Sequence, residues 1–431
     1  MRGARLVALV LLAGLLPLGC RGARRVPSPR DGGADDAPPA AARGPLLGFA
    51  PSRAGEGSQP RWRYLARGPR PRGVERWRYD LTPREPSGAP ATDGRTVFIA
   101  AARPTAEGTD EGEVFAFDLV DGLLRWHTEV GGLHGEPVEF SEGVVLVDTV
   151  AHCATREDVA PGTLGRACRD ARPGGLVGLD ATTGRTLFRT AVSSGMLNAG
   201  WTVLRTSLHR WMHDGTSTLR DLALPGGALG ARLVMPGTVL QGAAMGDDLL
   251  AVVDLRRTTA VQRRTPGMPR ARWERMTPWR GSCAPVVAGP LLVLPGFAAR
   301  GLAGAPRALA TLDGADRWTA TPPPETVQTC AAAEEGVLWQ IRDNTLQGNS
   351  LFDGRPRSPR ALPAAPTSDV SALLDGVFYL SQPRALLGVE VSTGGTSVQL
   401  RTDARAVAGV ILWAGRGVVV TREPGLVLGF D

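Results

Sequence analysis

Apolar residues fall in short runs of four to seven, broken by Gly, Pro and Asp, and the sustained spacing of an amphipathic helix is absent. Such runs read as strands, and the 55 Gly and 35 Pro that punctuate them set the turns. The segment GEVFAFDLVDGLLRW, residues 112–126, defines a unit. An apolar strand ends at Asp118, a tight turn closes on Gly122, and a second strand ends at Trp126.

The hairpin recurs. In GGLVGLDATTGRTLFRT, Asp180 and Phe188 keep the eight-residue spacing of Asp118 and Trp126, and Glu390 and Val398 keep it in LLGVEVSTGGTSVQL. RALATLDGADRW reaches Asp313 and Trp318 through what reads as a shorter turn, and NSLFDGRPRSP retains Phe352, Asp353 and Gly354. A second pattern precedes each copy: a strand of small residues, a Gly or Asp-Gly turn, then an apolar strand, as in GAPATDGRTVFIAA, CAPVVAGPLLVLPG and VSALLDGVFYLSQ. Two hairpins make a four-stranded meander of about 40 to 50 residues, the size of one propeller blade. The third unit is diverged, and the fourth, near AVQRRTPGMPRARWERMTPWRG, is the least regular.

The predicted fold is therefore all-β, an eight-bladed β-propeller, with seven blades as the alternative if the third or fourth unit is half of something larger. The last repeat, GLVLGFD, lacks its outer strand, and GVERWRYD at 73–80 supplies one, with Trp77 in the place of Trp126. The last blade is thus closed by the N-terminal strand, which leaves no sheet edge open to aggregation.

Residues 1–19 read as a signal peptide: two Arg, then an apolar stretch from Leu6 to Gly19, too short to span a bilayer comfortably. PLGC at its end resembles a bacterial lipobox, which implies that Cys20 becomes the lipidated first residue; ordinary cleavage beside an incidental Cys20 is the alternative. Residues 20–72, rich in Pro, Gly and Ala, read as a lipid-anchored flexible linker, and 73–431 as the propeller. The net charge of +7 sits in the first 80 residues, where Arg exceeds carboxylates by nine, whereas in 81–431 carboxylates exceed Arg by two. The body is thus near neutral, and no nucleic-acid partner is expected.

Four further cysteines, Cys153, Cys168, Cys283 and Cys330, show no CxxC or Cys/His cluster, so in an oxidising compartment they read as two disulfides. Three pairings are open. Cys153 with Cys168 would staple one long insertion. Cys283 and Cys330 each stand six residues before a turn Gly, in the first strands of neighbouring blades, where they either bridge or remain buried thiols.

The frame V-x-A-x-D-x-x-x-G-x-x-x-W resembles the repeat of quinoprotein-type, PQQ-like β-propellers, most sharply at 112–126 and 174–188. In that family the outer-strand Trp packs between blades, which implies structural roles for Trp77, Trp126 and Trp318, with Phe188 as a substitute. A lipoprotein signal, a linker and one such propeller together resemble the BamB family of outer-membrane assembly lipoproteins. The resemblance implies a non-catalytic, monomeric scaffold in the bacterial envelope, held to the outer membrane by its lipid, facing the periplasm and binding a protein partner such as a subunit of the β-barrel assembly machinery. The long linker and the two disulfides depart from that pattern.

Other chemistry is thinly represented. A quinoprotein dehydrogenase would use PQQ and Ca²⁺ and typically carries a vicinal Cys pair, which this chain lacks; Asp247, Asp248 and Asp343 are available carboxylates that read as turn residues. His209 and His213 share a face of a strand, and His127 and His134 flank the first blade, without a nucleophile beside them. No catalytic residue, cofactor or metal is expected. Arg272, Trp273, Arg275, Trp279 and Arg280 have the Arg/aromatic make-up of a protein-binding surface, with a solvated outer strand as the plainer reading. A polysaccharide-binding propeller is a further alternative.

Overall fold

A computed structural model describes residues 50–51, 65–66 and, with internal gaps, 69–431, the longest gaps being 150–174 and 192–200. No helix occurs among the described residues. Strands dominate because β-branched and apolar residues alternate between Gly turns, and the buried patterns of Val144–Thr149, Leu426–Phe430 and Gly175–Asp180 are those of strands covered on both faces.

Among the described residues, eight sheets of four or five strands follow one another along the chain, antiparallel except where Leu65–Ala66 joins the last, and Ala298–Ala299 with Leu302–Ala303 makes a further two-stranded sheet. Sheet A holds Thr96–Pro104, Asp110–Asp118 and Leu124–Glu129, with short inner strands Glu85–Pro86 and Ala91–Thr92. Sheet B holds Glu139–Ser141 to Thr186–Ala191, sheet C Trp201–Leu204 to Ala228–Met235, and sheet D Thr238–Met245 to Trp273–Thr277. Sheet E runs from Val286–Ala288 to Asp316–Thr319, sheet F from Gln328–Glu334 to Arg360–Ala361, and sheet G from Ser371–Leu374 to Thr396–Arg401. Sheet H takes Ala406–Trp413, Arg416–Arg422 and Leu426–Phe430 and adds Glu75–Asp80 as its outer strand, with Trp77 opposite Gly429 and Asp80 opposite Leu426.

First strands of consecutive sheets lie against one another: Ala91–Thr92 by Glu139–Ser141, Trp201–Leu204 by Thr238–Met245, and Gln328–Glu334 between Val286–Ala288 and Ser371–Leu374. The sheets therefore radiate from a common centre, and apolar clusters fill the wedges between them, as where Phe98 stacks on Phe140 of the next sheet.

One reading from the sequence is corrected. Asp313 and Trp318 do not belong to a shorter turn: the Gly314 N–H donates to Ala310 O as the Gly122 N–H donates to Asp118 O, and Trp318 stands four residues past its Gly like Trp126. Ala310 simply replaces the leading Asp, so aligning on Asp313 displaced the frame. Within 20–72, a few described residues meet the sheets. Ala50–Pro51 pairs with Gly242 and Gln241, Leu65–Ala66 lies parallel to Leu412 and Trp413, and Arg70 binds Glu390 at 2.7 Å. Backbone pairing to an open inner edge needs no apolar pattern, so composition did not reveal it.

Candidate functional site

In each sheet the first-to-second and third-to-fourth turns emerge at the same end, as the up-and-down order requires. Six of the outer turns are built alike. The N–H groups of Gly122, Gly184, Gly227, Gly314, Gly354 and Gly394 donate to the carbonyl four residues earlier, at 2.7 to 3.0 Å, and each Gly has φ between 70 and 78°. Where Asp leads the turn, its carboxylate accepts from the turn backbone, as Asp118 does from Val120 N–H and Asp180 from Thr183 N–H, both at 2.8 Å.

Aromatic side chains lock five of these six turns to the preceding sheet, the Gly394 turn resting instead on Arg360 and Ala361. Trp126 of sheet A donates Nε1–H to Ala181 O at 3.0 Å and covers Gly184, where a Cβ would meet its ring at 2.6 Å. Trp318 of sheet E does the same to Leu351 O at 2.7 Å over Gly354, and Trp77 of sheet H to Leu119 O at 3.4 Å over Gly122. Phe188 of sheet B covers Gly227 without a donor. These contacts make the turn end a rigid platform, since an indole packed on a bare glycine leaves no space for side-chain substitution there.

Apolar side chains stand on that platform. Val120, Leu312 and Phe352 each lie two residues before a turn Gly and are 51, 78 and 91 % exposed. Val74, Leu123 and Met268 are exposed in or beside the same set of turns. Among the described residues, every exposed large hydrophobic except Met276 lies in or within two residues of an outer turn. Leu312 and Phe352 are in consecutive sheets whose turns Trp318 links, and Trp273 ties the Met268 loop to the Leu312 turn. Arg272, Arg355 and Arg357 stand exposed beside them. Exposed apolar groups thus share the outer-turn end with exposed Arg side chains.

Of the proposed partner-surface residues, Arg272 and Arg275 are exposed. Trp273 is only half-exposed: its Nε1–H donates to Thr311 O at 3.0 Å and its ring covers Gly314, so it belongs with the inter-sheet aromatics. No Gly stands four residues before Trp273, which hid its kinship with Trp126. Trp279 and Arg280 lie outside the described residues, as do Cys20, Cys153, Cys168 and Cys283, Asp247, Asp343 and His134. Cys330 lies in Gln328–Glu334, beside the bulge before Ala331. His209 and His213 lie in Ser207–His213 opposite Asp221 and Ser217. His127 stacks on Phe115 and approaches Glu113 at 3.5 Å.

Asp248 is engaged structurally. It accepts from Arg263 Nε and Thr265 Oγ1, both at 2.6 Å, and lies 3.1 Å from Arg272 Nε. Burial pushes its carboxyl up, yet the Thr265 hydroxyl and the two guanidiniums outweigh this and hold it below the ordinary carboxylate range. No group of three or more His, Cys, Asp or Glu side chains able to hold a metal occurs among the described residues.

The repeat geometry finds its counterpart in known proteins. The family model described as outer membrane protein assembly factor BamB matches residues 68–164. Over those residues the chain resembles the PQQ-like repeat of that family. Among solved structures, the computationally designed Ika8 protein matches at TM-score 0.57 and 14 % identity, over 84 % of this chain and all of that one. Quinohemoprotein alcohol dehydrogenase from Comamonas testosteroni matches at TM-score 0.52 and 10 % identity, over 83 % of this chain and 76 % of that one. BamB from Moraxella catarrhalis matches at TM-score 0.45 and 12 % identity, over 83 % and 99 %. At these identities the likeness is one of fold. No curated protein matches the chain.

Proposed function

We propose that the protein is a non-catalytic scaffold of the bacterial cell envelope, BamB-like, that docks a protein partner on its outer-turn face. The reading takes the eight sheets as eight blades, closed by Glu75–Asp80 against Leu426–Phe430, and Cys20 as the lipid anchor to the outer membrane. The observation that carries it is the exposure of apolar side chains, Phe352 and Leu312 foremost, on consecutive turns that tryptophans hold rigid. Rigid apolar anchors with an arginine rim suit protein recognition, because little conformational entropy is lost on binding.

The test is capture from detergent-solubilised outer membranes by the full chain and by a Leu312→Ser, Phe352→Ser double variant. A β-barrel assembly subunit should co-purify with the first and be depleted at least about tenfold with the second. Equal capture by both would remove the surface assignment, glycan retention would favour the polysaccharide reading, and PQQ-dependent dye reduction would overturn the non-catalytic one. Cys20→Ser should release the protein to the soluble fraction.

A further inference from the structure

Sheet H differs from the others in that its outer turn is assembled from two distant segments. Asp431 occupies the place of Asp118, Gly73 that of Gly122 and Trp77 that of Trp126, and Val74 and Asp431 exchange two backbone hydrogen bonds. Gly73, at φ 77°, packs on Val398 and Gln399 of sheet G as the intact turns pack on their neighbours. The joined turn leaves a pocket of about 240 Å³ toward sheet A, lined by Trp77, Leu119, Val120, Arg416, Phe430 and Asp431.

Charge in the pocket is unbalanced. Arg76 binds the Asp431 carboxylate at 2.5 Å and Arg72 approaches it at 3.6 Å, so that one anion already answers two guanidiniums. Arg416, half-buried at the start of Arg416–Arg422 and opposite Trp413, has no ion pair or side-chain hydrogen bond among the described residues. A guanidinium held in a partly apolar wall favours a planar carboxylate, which it can bind through two N–H groups. The remaining walls, Trp77, Leu119 and Val120, are apolar, and Val74 and Leu123 are exposed on the neighbouring turns.

We infer that this pocket receives an acidic, apolar segment of a partner protein, its carboxylate on Arg416 and a neighbouring large apolar side chain between Trp77 and Val120. The inference rests on the scaffold reading and adds a second anchor, distant along the ring from Leu312 and Phe352. A carboxylate also offsets the local excess of positive charge, which a neutral or basic segment would not.

The test uses the full chain labelled with 5-fluorotryptophan, the Trp77 resonance being assigned with Trp77→Phe, and two probes: acetyl-Phe-Asp-amide and acetyl-Phe-Asn-amide. The acidic probe should shift the Trp77 resonance saturably, and the neutral one should bind about tenfold more weakly. Arg416→Gln should equalise the two, Arg416→Glu should turn the preference toward acetyl-Phe-Arg-amide, and Arg185→Gln, exposed on the turn of sheet B, should change nothing. Equal binding of both probes to the parent chain, a preference that survives in Arg416→Gln, or no shift at any attainable concentration would overturn the pocket assignment. Peptide binding is read without a partner, so loss of membrane capture with retained peptide preference would sink the scaffold reading and leave the pocket standing.

Discussion

Val74 N–H donates to Asp431 O at 3.0 Å and Asp431 N–H returns to Val74 O at 3.1 Å, so two segments from opposite ends of the numbering make one turn. Arg76, the residue before Trp77, then binds the Asp431 carboxylate as Arg125, the residue before Trp126, binds Asp118. The split turn thus reproduces the side-chain pairing of an intact one.

That pairing sets an acid dependence. The Arg76 hydrogen bond, with Arg72 nearby, holds the Asp431 carboxyl below its ordinary value of 3.8. A depressed carboxylate stabilises the fold above its unfolded value, and this contribution disappears as pH falls through the folded value. The thermal midpoint should therefore be level at neutral pH and fall below about pH 4. Asp431→Asn should lower the plateau and flatten that fall. Because Asp118 and Asp180 are depressed in the same direction, the flattening will be partial. Wild-type and variant curves should converge in acid; parallel curves would show that the pair does not matter.

The Trp126–Gly184 contact lends itself to a double-mutant cycle. Gly184→Ala places a Cβ 2.6 Å from the indole at φ 72°, so it costs both backbone strain, about 1–2 kcal/mol, and displacement of the ring. Trp126→Ala should cost about 3–5 kcal/mol. In the Trp126→Ala background, Gly184→Ala should cost the strain and the close contact with Thr128 Oγ1 at 2.7 Å, but no displacement of the ring. Denaturant unfolding of the four proteins measures the coupling.

Much of the architecture was legible, because a turn that needs φ near 70° demands Gly and the strand leaving it carries, four residues on, the ring that covers the turn Gly of the next sheet. Gly122 with Trp126 and Gly184 with Phe188 announce that geometry in sequence. Sheet D does not: Pro269 stands four residues before Trp273, and its turn is held by Asp248, Thr265 and Arg272. Side-chain networks of that kind have no spacing rule. Alignment on the turn glycines brings Val120, Leu312 and Phe352 into one column, yet alternation alone cannot tell an exposed turn residue from a strand end. The Arg416 pocket was invisible, since four separated segments build it.

Arg263 tests the network that replaces the glycine turn. It is mostly buried, binds Asp248 through Nε at 2.6 Å, and donates Nη1–H to Thr311 O of sheet E at 2.9 Å. Arg263→Ala leaves the Asp248 carboxylate buried with Thr265 and the exposed Arg272, and should cost about 3 kcal/mol in urea unfolding. Arg357→Ala, on an exposed turn, should stay within about 0.5 kcal/mol.

Trp318 separates the indole hydrogen bond from the ring contact. The side chain is buried, its Nε1–H donates to Leu351 O at 2.7 Å, and the ring lies on Gly354. Trp318→Phe keeps much of the ring and drops the donor, reproducing what Phe188 does over Gly227 in sheet B. The cost should be about 1–3 kcal/mol, for the unpaired carbonyl and the smaller ring, against about 3–5 kcal/mol for Trp318→Ala, which empties the site. The Leu351 turn carries Phe352, so Trp318→Ala should also loosen the exposed anchor and weaken partner capture, while Trp318→Phe should preserve it. Urea unfolding and capture from solubilised membranes, run on the same three proteins, give both readouts. Equal capture by all three would mean that the platform's rigidity contributes nothing to docking.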